Sequence, residues 1–235
     1  MQLFFTIQIE GNSALLSEEE SLHCAQVLRK KPGDWLCLVD GLGNWYEGPL
    51  IEVGKKQCRI SIQKTIPEYQ KRPFHLHIGL APTKQMERTE WFLEKVTEIG
   101  VDEITLLQCK RSERAHIRID RLQKIILSAM KQSLRAYLPR LHDLTPFEKF
   151  VESANKDAAR FIAYMGESRH KTLKENYPPG ENVYILIGPE GDFSPEEIQK
   201  ALDYGFSGIN LGPHRLRTET AGIAACFSVN MINGY

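Results

Sequence analysis

The fold is decided by the segment Val183-Tyr184-Ile185-Leu186-Ile187, followed by Gly188-Pro189-Glu190-Gly191-Asp192-Phe193-Ser194 and then by Pro195-Glu196-Glu197. Its first five residues form an apolar run that is typical of a buried strand. Ser194 precedes a proline at the first helical position and a glutamate at the third, which is the pattern of a capping box. The segment therefore predicts a strand, a glycine-containing loop and a helix that ends near Gly205.

The same alternation of strand and helix extends over residues 73–235. An apolar helical pattern covers Met86–Ile99 and is closed by Gly100, and a second helix is capped by Asp120 and reaches Tyr137. Further strands are predicted at Phe74–Leu80, Glu103–Leu107, Arg160–Tyr164 and Ile209–Leu211, with further helices starting at a Thr145 cap and covering Thr218–Asn233. This alternation indicates an α/β domain with a mostly parallel sheet covered by helices on both faces.

Residues 1–70 follow a different pattern. Apolar runs predict strands at Leu3–Ile9, Trp35–Val39, Trp45–Val53 and Cys58–Gln63. Ser17 and Glu20 form a second capping box, at the start of a helix that runs through Leu28 and is ended by Lys30-Lys31-Pro32-Gly33. Short strands at this spacing favour a small β-barrel with one helix packed on it. The polar segment Pro67–Pro73 is the predicted boundary between the two domains.

The composition is that of an ordinary globular protein. The 235 residues include 30 basic and 30 acidic side chains, so any nucleic-acid surface depends on local placement rather than on net charge. The five cysteines are scattered and form no Cys-x-x-Cys pair, which indicates reduced thiols in a cytoplasmic protein. The sequence shows no metal motif, no secretory leader and no membrane-spanning run, so we expect no metal and no membrane partner.

Two glycine-containing loops, Gly188–Gly191 and Leu211–Ala221, follow predicted strands. In open α/β sheets, ligands bind beyond the carboxyl ends of the strands, where such loops lead into helices. Neither loop has the Gly-x-Gly-x-x-Gly pattern of dinucleotide sites or the Gly-Lys-Ser/Thr of P-loops. Each loop alone is equally well explained as a turn, with Glu219 favouring the dipole of the last helix. Two such loops in successive strand–helix units favour a ligand site.

The residues of these loops resemble those of a known family. Gly188-Pro189-Glu190-Gly191 with Phe193-Ser194, and Leu211-Gly212 with Leu216-Arg217-Thr218-Glu219-Thr220-Ala221, are similar to the bacterial 16S rRNA uracil-N3 methyltransferases of the SPOUT superfamily. Nearly the full chain shares the resemblance. Further agreement lies in Val27-Leu28-Arg29, Glu94–Val101, Arg111–Arg114 and Gln132–Arg135. Two positions depart from the family pattern: Asp192 replaces a usual glycine, and His214-Arg215 replaces the commoner Arg-Ile.

The resemblance implies a PUA-like RNA-binding domain followed by a domain with a deep trefoil knot, a rare exception to the rule against threaded chains. It also implies a homodimer that methylates a specific uridine of 16S rRNA in the 30S subunit. The implied cofactor is S-adenosyl-L-methionine (SAM), which leaves as S-adenosyl-L-homocysteine. The implied cofactor-binding residues lie in three loops: Tyr164, Met165, Gly166, Ile187, Gly188, Pro189, Glu190, Gly191, Leu211, Gly212, Leu216, Thr218, Thr220 and Ala221.

Methyl transfer from a sulfonium to N3 of uracil requires no metal, but the enzyme must stabilise the developing uracil anion. Arg217 is the candidate for this role or for contact with a flanking phosphate. Glu219 is the candidate for proton handling or cofactor orientation. The predicted RNA-binding residues are all basic: Arg29, Lys30, Lys84, Arg111, Arg114 and Arg135.

The sequence leaves two alternatives open. Another SPOUT enzyme would modify tRNA or a ribose 2′-hydroxyl, although the ribose enzymes usually carry an Asn-Gly-Arg type of motif that this sequence lacks. A non-catalytic rRNA-binding assembly factor would have no chemical reason to retain Arg217-Thr218-Glu219-Thr220.

Overall fold

The computed structural model describes residues 2–112, 117–165 and 171–235. The chain forms two compact units. The first consists of Met1–Lys71 with Leu127–Leu138, and the second of Arg72–Ile126 with Pro139–Tyr235. The predicted boundary at Pro67–Pro73 did not anticipate that the segment Leu127–Leu138 packs with the N-terminal unit.

The N-terminal unit is built on seven short strands, β1 to β7. Their order in the sheet is β1-β4-β5-β6-β3-β2, with β7 paired to β5, and β1 runs parallel to β4. A short helix, α1 (Glu18–Leu22), continues directly into a π-helical turn over His23–Val27. The strands are Leu3–Phe5, Gln8–Glu10, Ser13–Leu15, Trp35–Val39, Trp45–Glu52, Arg59–Ser61 and Lys64–Ile66.

Two local predictions for this unit were wrong. The predicted strand Leu3–Ile9 is divided in two, because the Thr6 hydroxyl accepts a hydrogen bond from the Gln8 N–H at 3.1 Å and turns the chain. Ser17 does cap α1 by accepting from the Glu20 N–H at 3.3 Å. The Glu20 carboxylate, however, contacts the Lys131 ammonium, which supplies a stronger, charged partner than the cap N–H.

The C-terminal unit contains a single six-stranded sheet in the order β10-β9-β8-β12-β11-β13. Every neighbouring pair in it is parallel, so the predicted α/β architecture is confirmed. The strands are β8 (Leu76–Leu80), β9 (Glu103–Gln108), β10 (Arg140–Pro146), β11 (Ala159–Ala163), β12 (Val183–Ile187) and β13 (Ser207–Ile209). The helices are α2 (Met86–Ile99), α3 (Ile119–Gln132), α4 (Phe147–Ser153), α5 (Leu173–Asn176), α6 (Pro195–Asp203) and α7 (Thr218–Ile232).

The region between α3 and α4 differs from its prediction. The helix predicted to reach Tyr137 ends at Gln132, because Leu134 adopts a left-handed backbone with φ of +58°. Thr145 does not cap a helix. It lies in the edge strand β10, and its hydroxyl donates to the Asp143 carbonyl at 2.8 Å.

Helix α7 packs tightly against the centre of the sheet and against α2. Gly222 makes this approach possible, since a Cβ at this position would lie 2.5 Å from the Phe92 ring and 2.9 Å from Leu80. On β8, His77 is buried beside Phe150, and burial lowers the pKa of its imidazole to about 3. No helix within the described ranges is long and apolar enough to cross a membrane.

Candidate functional site

A cavity of about 300 Å³ lies at the carboxyl ends of three neighbouring strands, β12, β11 and β13. Their last residues are aligned by the ladder: Ala163 pairs with both Ile187 and Ile209. All three residues line the cavity. Parallel strands that end in register bring their following loops together, so the cavity is walled by the loops after β11, β12 and β13.

The loop after β12 is a tight turn that is anchored to the following helix. The Asp192 N–H donates to the Pro189 carbonyl at 2.9 Å. Ser194 caps α6 by accepting from the Glu197 N–H at 3.3 Å, and the Glu197 carboxylate accepts from the Ser194 N–H at 2.8 Å, as predicted. A side chain at Gly188 would come within 3.1 Å of the buried Phe193 ring. At Gly188 the loop therefore presents backbone rather than a side chain to the cavity.

The Asp192 carboxylate links two of these loops. Its backbone φ is +62°, a left-handed conformation that glycine adopts freely and that aspartate tolerates better than most residues. Its Oδ1 accepts the Phe193 N–H at 2.8 Å, and its Oδ2 accepts the Met165 N–H at 3.1 Å. The side chain thus ties the loop after β11 to the loop after β12, and it lines the cavity.

The loop after β13 closes the third side. Gly212 has a φ of +145°, and its N–H donates to the Asn210 side-chain oxygen at 2.8 Å. The Thr218 hydroxyl donates to the Gly188 carbonyl at 3.0 Å, which fixes the start of α7 against the loop after β12. Arg217 is the residue just before α7. Its side chain is exposed, lines the cavity and forms no ion pair with a residue in the described ranges.

Glu219 is buried rather than exposed to the cavity. It is 6% exposed, and its Oε2 has no hydrogen-bond partner among the residues that the structure describes. Burying a carboxylate oxygen without a hydrogen-bond partner lowers the stability of the fold. Stability alone therefore does not explain a glutamate at position 219.

The structure brings most of the predicted cofactor-binding residues together around the cavity. Those that line it are Tyr164, Met165, Ile187, Gly188, Pro189, Glu190, Leu211, Gly212, Leu216, Thr218 and Ala221. Gly166 lies outside the described residues.

Two predicted residues do not line the cavity. The carbonyl of Gly191 accepts a hydrogen bond from the Arg111 guanidinium at 2.6 Å, so this residue faces Arg111 instead. Thr220 lies in the first turn of α7, about 200° around the helix axis from Thr218, and therefore points elsewhere.

Six cavity residues are absent from the predicted cofactor-binding set. Two of them, His214 and Arg215, lie within the predicted loop Leu211–Ala221, and Asp192 directly follows the predicted loop Gly188–Gly191. Asp192 carries a detectable signal, because an aspartate in a glycine-rich turn can take a left-handed backbone. The missed residues are Ala163, Asp192, Ile209, Asn210, His214 and Arg215.

The predicted RNA-binding residues fall into two groups. Lys84 and Arg111 border the loop after β12, since the Lys84 N–H donates to Glu190 at 2.9 Å. Arg29, Lys30 and Arg135 belong to the N-terminal unit. Arg114 lies outside the described residues.

Comparison with known proteins places the chain in a family. The model of an RNA methyltransferase domain matches residues 70–230, and that of an RNA methyltransferase PUA domain matches residues 16–63. Ribosomal RNA small subunit methyltransferase E from Buchnera aphidicola subsp. Acyrthosiphon pisum is 31% identical over 227 residues, covering 93% of this chain and 88% of the relative. The chain belongs to the ribosomal RNA small subunit methyltransferase E family.

Solved structures agree with this family assignment. A probable rRNA methyltransferase from Porphyromonas gingivalis is 40% identical, with a TM-score of 0.93 over 100% of this chain and 99% of the other. A proposed methyltransferase from Legionella pneumophila, solved with bound SAM, is 31% identical, with a TM-score of 0.83 over 98% and 96% of the two chains. The N-terminal unit therefore contains a PUA domain, as the family resemblance implies.

Proposed function

We propose that this protein transfers the methyl group of SAM to N3 of a specific uridine in the 16S rRNA of the small ribosomal subunit. The observation that carries the proposal is the backbone-lined cavity at the ends of β11, β12 and β13, with Arg217 at its rim. Family membership supports the class of reaction, and the Legionella pneumophila relative was solved with SAM bound.

The cavity fits the chemistry of this cofactor. Its walls combine apolar side chains such as Ile187 and Leu216 with the carboxylates of Glu190 and Asp192. Apolar surface suits an adenine ring, and backbone N–H and C=O groups can read its edge. The Glu190 carboxylate complements the positive charge of the sulfonium or the ammonium group. When bound, SAM supplies an electrophilic methyl group. We propose the residues that line the cavity, together with Gly166 of the loop after β11, as its binding residues.

The residues of this chain would then have distinct tasks. Arg217 holds a positive charge at the cavity rim, where it stabilises the uracil as N3 loses its proton or binds a flanking phosphate. Glu219, in the first turn of α7, is proposed to orient the cofactor or to handle the proton from N3. We propose that the closely packed loops hold the uracil base in position, because methyl transfer requires N3 to lie in line with the methyl group.

RNA binding is proposed to involve both units. Residues 1–70 would bind RNA as a PUA-like domain, and residues 73–235 would carry out methyl transfer. Basic side chains next to the cavity and on the N-terminal unit would contact phosphates. These side chains are Arg29, Lys30, Lys84, Arg111, Arg114 and Arg135.

We further propose that the protein is a cytoplasmic homodimer whose C-terminal domain contains a trefoil knot, as the family resemblance implies. The outward face of α7 supports the dimer. Phe227 and Met231 lie one turn apart on this helix and are 54% and 61% exposed. A stripe of large apolar side chains on one helix face is typical of a surface that is covered by a partner.

The decisive experiment is methyl transfer to purified 30S subunits and to free 16S rRNA, with the product nucleoside identified by mass spectrometry. We expect 3-methyluridine, and any other methylated nucleoside would overturn the proposal. Absence of measurable SAM binding would favour the non-catalytic assembly factor.

Arg217→Ala tests the proposed role of the cavity rim. We expect it to abolish transfer and to leave SAM affinity within about twofold, since an anion-stabilising group acts in the transition state. Full activity of this variant would remove Arg217 from the mechanism.

A further inference from the structure

A cluster of three histidines and one glutamate lies on the sheet of the C-terminal unit, away from the strands that form the cavity. His75 and His77 flank Leu76 at the start of β8. Residues two apart on a strand face the same side, so both imidazoles share one face of the sheet. Glu103 pairs with His77 in the β8–β9 ladder, and His142 lies on the next strand, β10. Three adjacent strands therefore contribute to one cluster.

The side chains converge on Glu103. Its Oε2 contacts the Nε2 of His142, and its Oε1 lies 3.2 Å from the Nε2 of His75. One nitrogen or oxygen atom from each of His77, Glu103 and His142 lies within 4.8 Å of the others. His77 is 7% exposed, whereas the side chains of Glu103 and His142 are 26% and 30% exposed. The cluster is therefore buried at His77 and accessible to solvent at Glu103 and His142.

We propose that His77, Glu103 and His142 bind a divalent metal ion, with Zn²⁺ as the ion that suits them best. Imidazole nitrogens combined with one carboxylate are a donor set that Zn²⁺ prefers over Mg²⁺ and Ca²⁺, which favour oxygen. His75 contacts the same carboxylate from outside this group, and a water molecule would complete the tetrahedral site.

The present distances are compatible with such a site. Ligands about 2.0–2.1 Å from Zn²⁺ lie roughly 3.3 Å apart, so the ion must draw together the more distant of the present atoms, which lie up to 4.8 Å apart, by up to about 1.5 Å and replace the hydrogen bond between His142 and Glu103. Both of these side chains are partly exposed and can move. Thr105 lies 2.7 Å from the Nε2 of His77 and fixes the orientation of that ring, as the neighbours of metal-binding histidines commonly do.

One cation opposes the site. Arg140 faces Glu103 in the β9–β10 ladder. Arg140 is exposed, so water screens its charge, and the Glu103 carboxylate keeps the centre attractive to a cation. The ion would cross-link β8 and β9 to the edge strand β10, which gives it a structural role that is independent of methyl transfer.

Isothermal titration of the EDTA-stripped full-length protein with Zn²⁺ tests the proposal, together with the visible absorption spectrum of the Co²⁺-loaded form. We expect one equivalent of Zn²⁺ per chain, the intense visible bands of tetrahedral Co²⁺, and a higher Tm in the presence of Zn²⁺.

The variants His142→Ala and Glu103→Gln should each raise the Kd for Zn²⁺ at least tenfold, as ligand loss does. Both positions are partly exposed, so the fold should survive, and circular dichroism checks this. His23→Ala, in the N-terminal unit, is the matched control and should leave the Kd unchanged. Failure to bind Zn²⁺ below about 100 μM, or binding that both cluster variants leave intact, would overturn the proposal.

Discussion

Asp192 offers a sharp test of how the cavity is organised. Replacing it with glycine removes the acceptors for the Met165 N–H at 3.1 Å and the Phe193 N–H at 2.8 Å but suits the backbone φ of +62°. The two lost hydrogen bonds are at least partly exposed and together contribute about 1–2 kcal/mol, and the relieved backbone strain returns about 1–2 kcal/mol. We therefore expect Asp192→Gly to leave the free energy of unfolding within about 1 kcal/mol of wild type. The Kd for SAM should rise about fivefold, because binding must then order the loop after β11.

Isothermal titration with SAM and urea unfolding measure the two quantities separately. Asp192→Asn is the matched control, since it keeps a side-chain acceptor and tolerates the left-handed backbone. It should bind SAM nearly as well as wild type. If Asp192→Gly binds SAM within twofold of wild type, the carboxylate does not organise the cavity. If Asp192→Asn is as weak as the glycine variant, the negative charge rather than the hydrogen bond is what matters.

Three further variants or probes test the packing and the caps. Gly222→Ala should lower the free energy of unfolding by about 1–2 kcal/mol in urea titrations, because the contact of 2.5 Å with Phe92 outweighs the gain in helix propensity. Ser194→Ala should lower it by about 1 kcal/mol, because the Glu197 N–H loses its cap. Burial raises the pKa of Cys24 to about 12, so its thiolate fraction at pH 8 is about one in ten thousand. Iodoacetamide should label it far more slowly in the folded protein than in urea.

Each of these expectations has a contrary result. A Gly222→Ala variant that is more stable than wild type would mean that α7 shifts away from α2 without cost. An unchanged unfolding midpoint after loss of the Ser194 hydroxyl would mean that water caps α6 equally well. Equal labelling rates of Cys24 in the native and unfolded protein would mean that this part of the barrel opens readily.

The parts of the fold that the sequence predicted best are those where local signals agree with tertiary packing. The strand Val183–Ile187 is apolar throughout because parallel strands are buried on both faces. By contrast, the edge strand Arg140–Pro146 is polar and only partly buried, so its pattern is not distinguishable from that of a loop. Thr145-Pro146 resembles a helix start, and only pairing with β9 shows that it ends a strand.

The loops of the candidate site were predictable from the sequence where glycines mark a turn, as Gly188 and Gly212 do in two of the three loops. The cavity residues at the ends of strands were not predictable in this way. Ala163 and Ile209 line the cavity only because their strands end in register, which depends on pairing across the sheet. Helical geometry likewise separates Thr218, which lines the cavity, from Thr220, which does not.

The segment Leu127–Leu138 has a consequence for how the protein is made. Met130 and Ala136 from this segment complete an apolar cluster with Leu3, Val39 and Trp45 of the N-terminal unit. A ribosome that has just finished Lys71 has therefore not yet synthesised part of the domain it began with. At about 5–20 residues per second, Leu138 follows about 3–13 s later. During that interval the apolar cluster of the nascent N-terminal unit is incomplete and exposed to water. The last folding step of this unit therefore requires residues 127–138, which lie in the C-terminal half of the sequence.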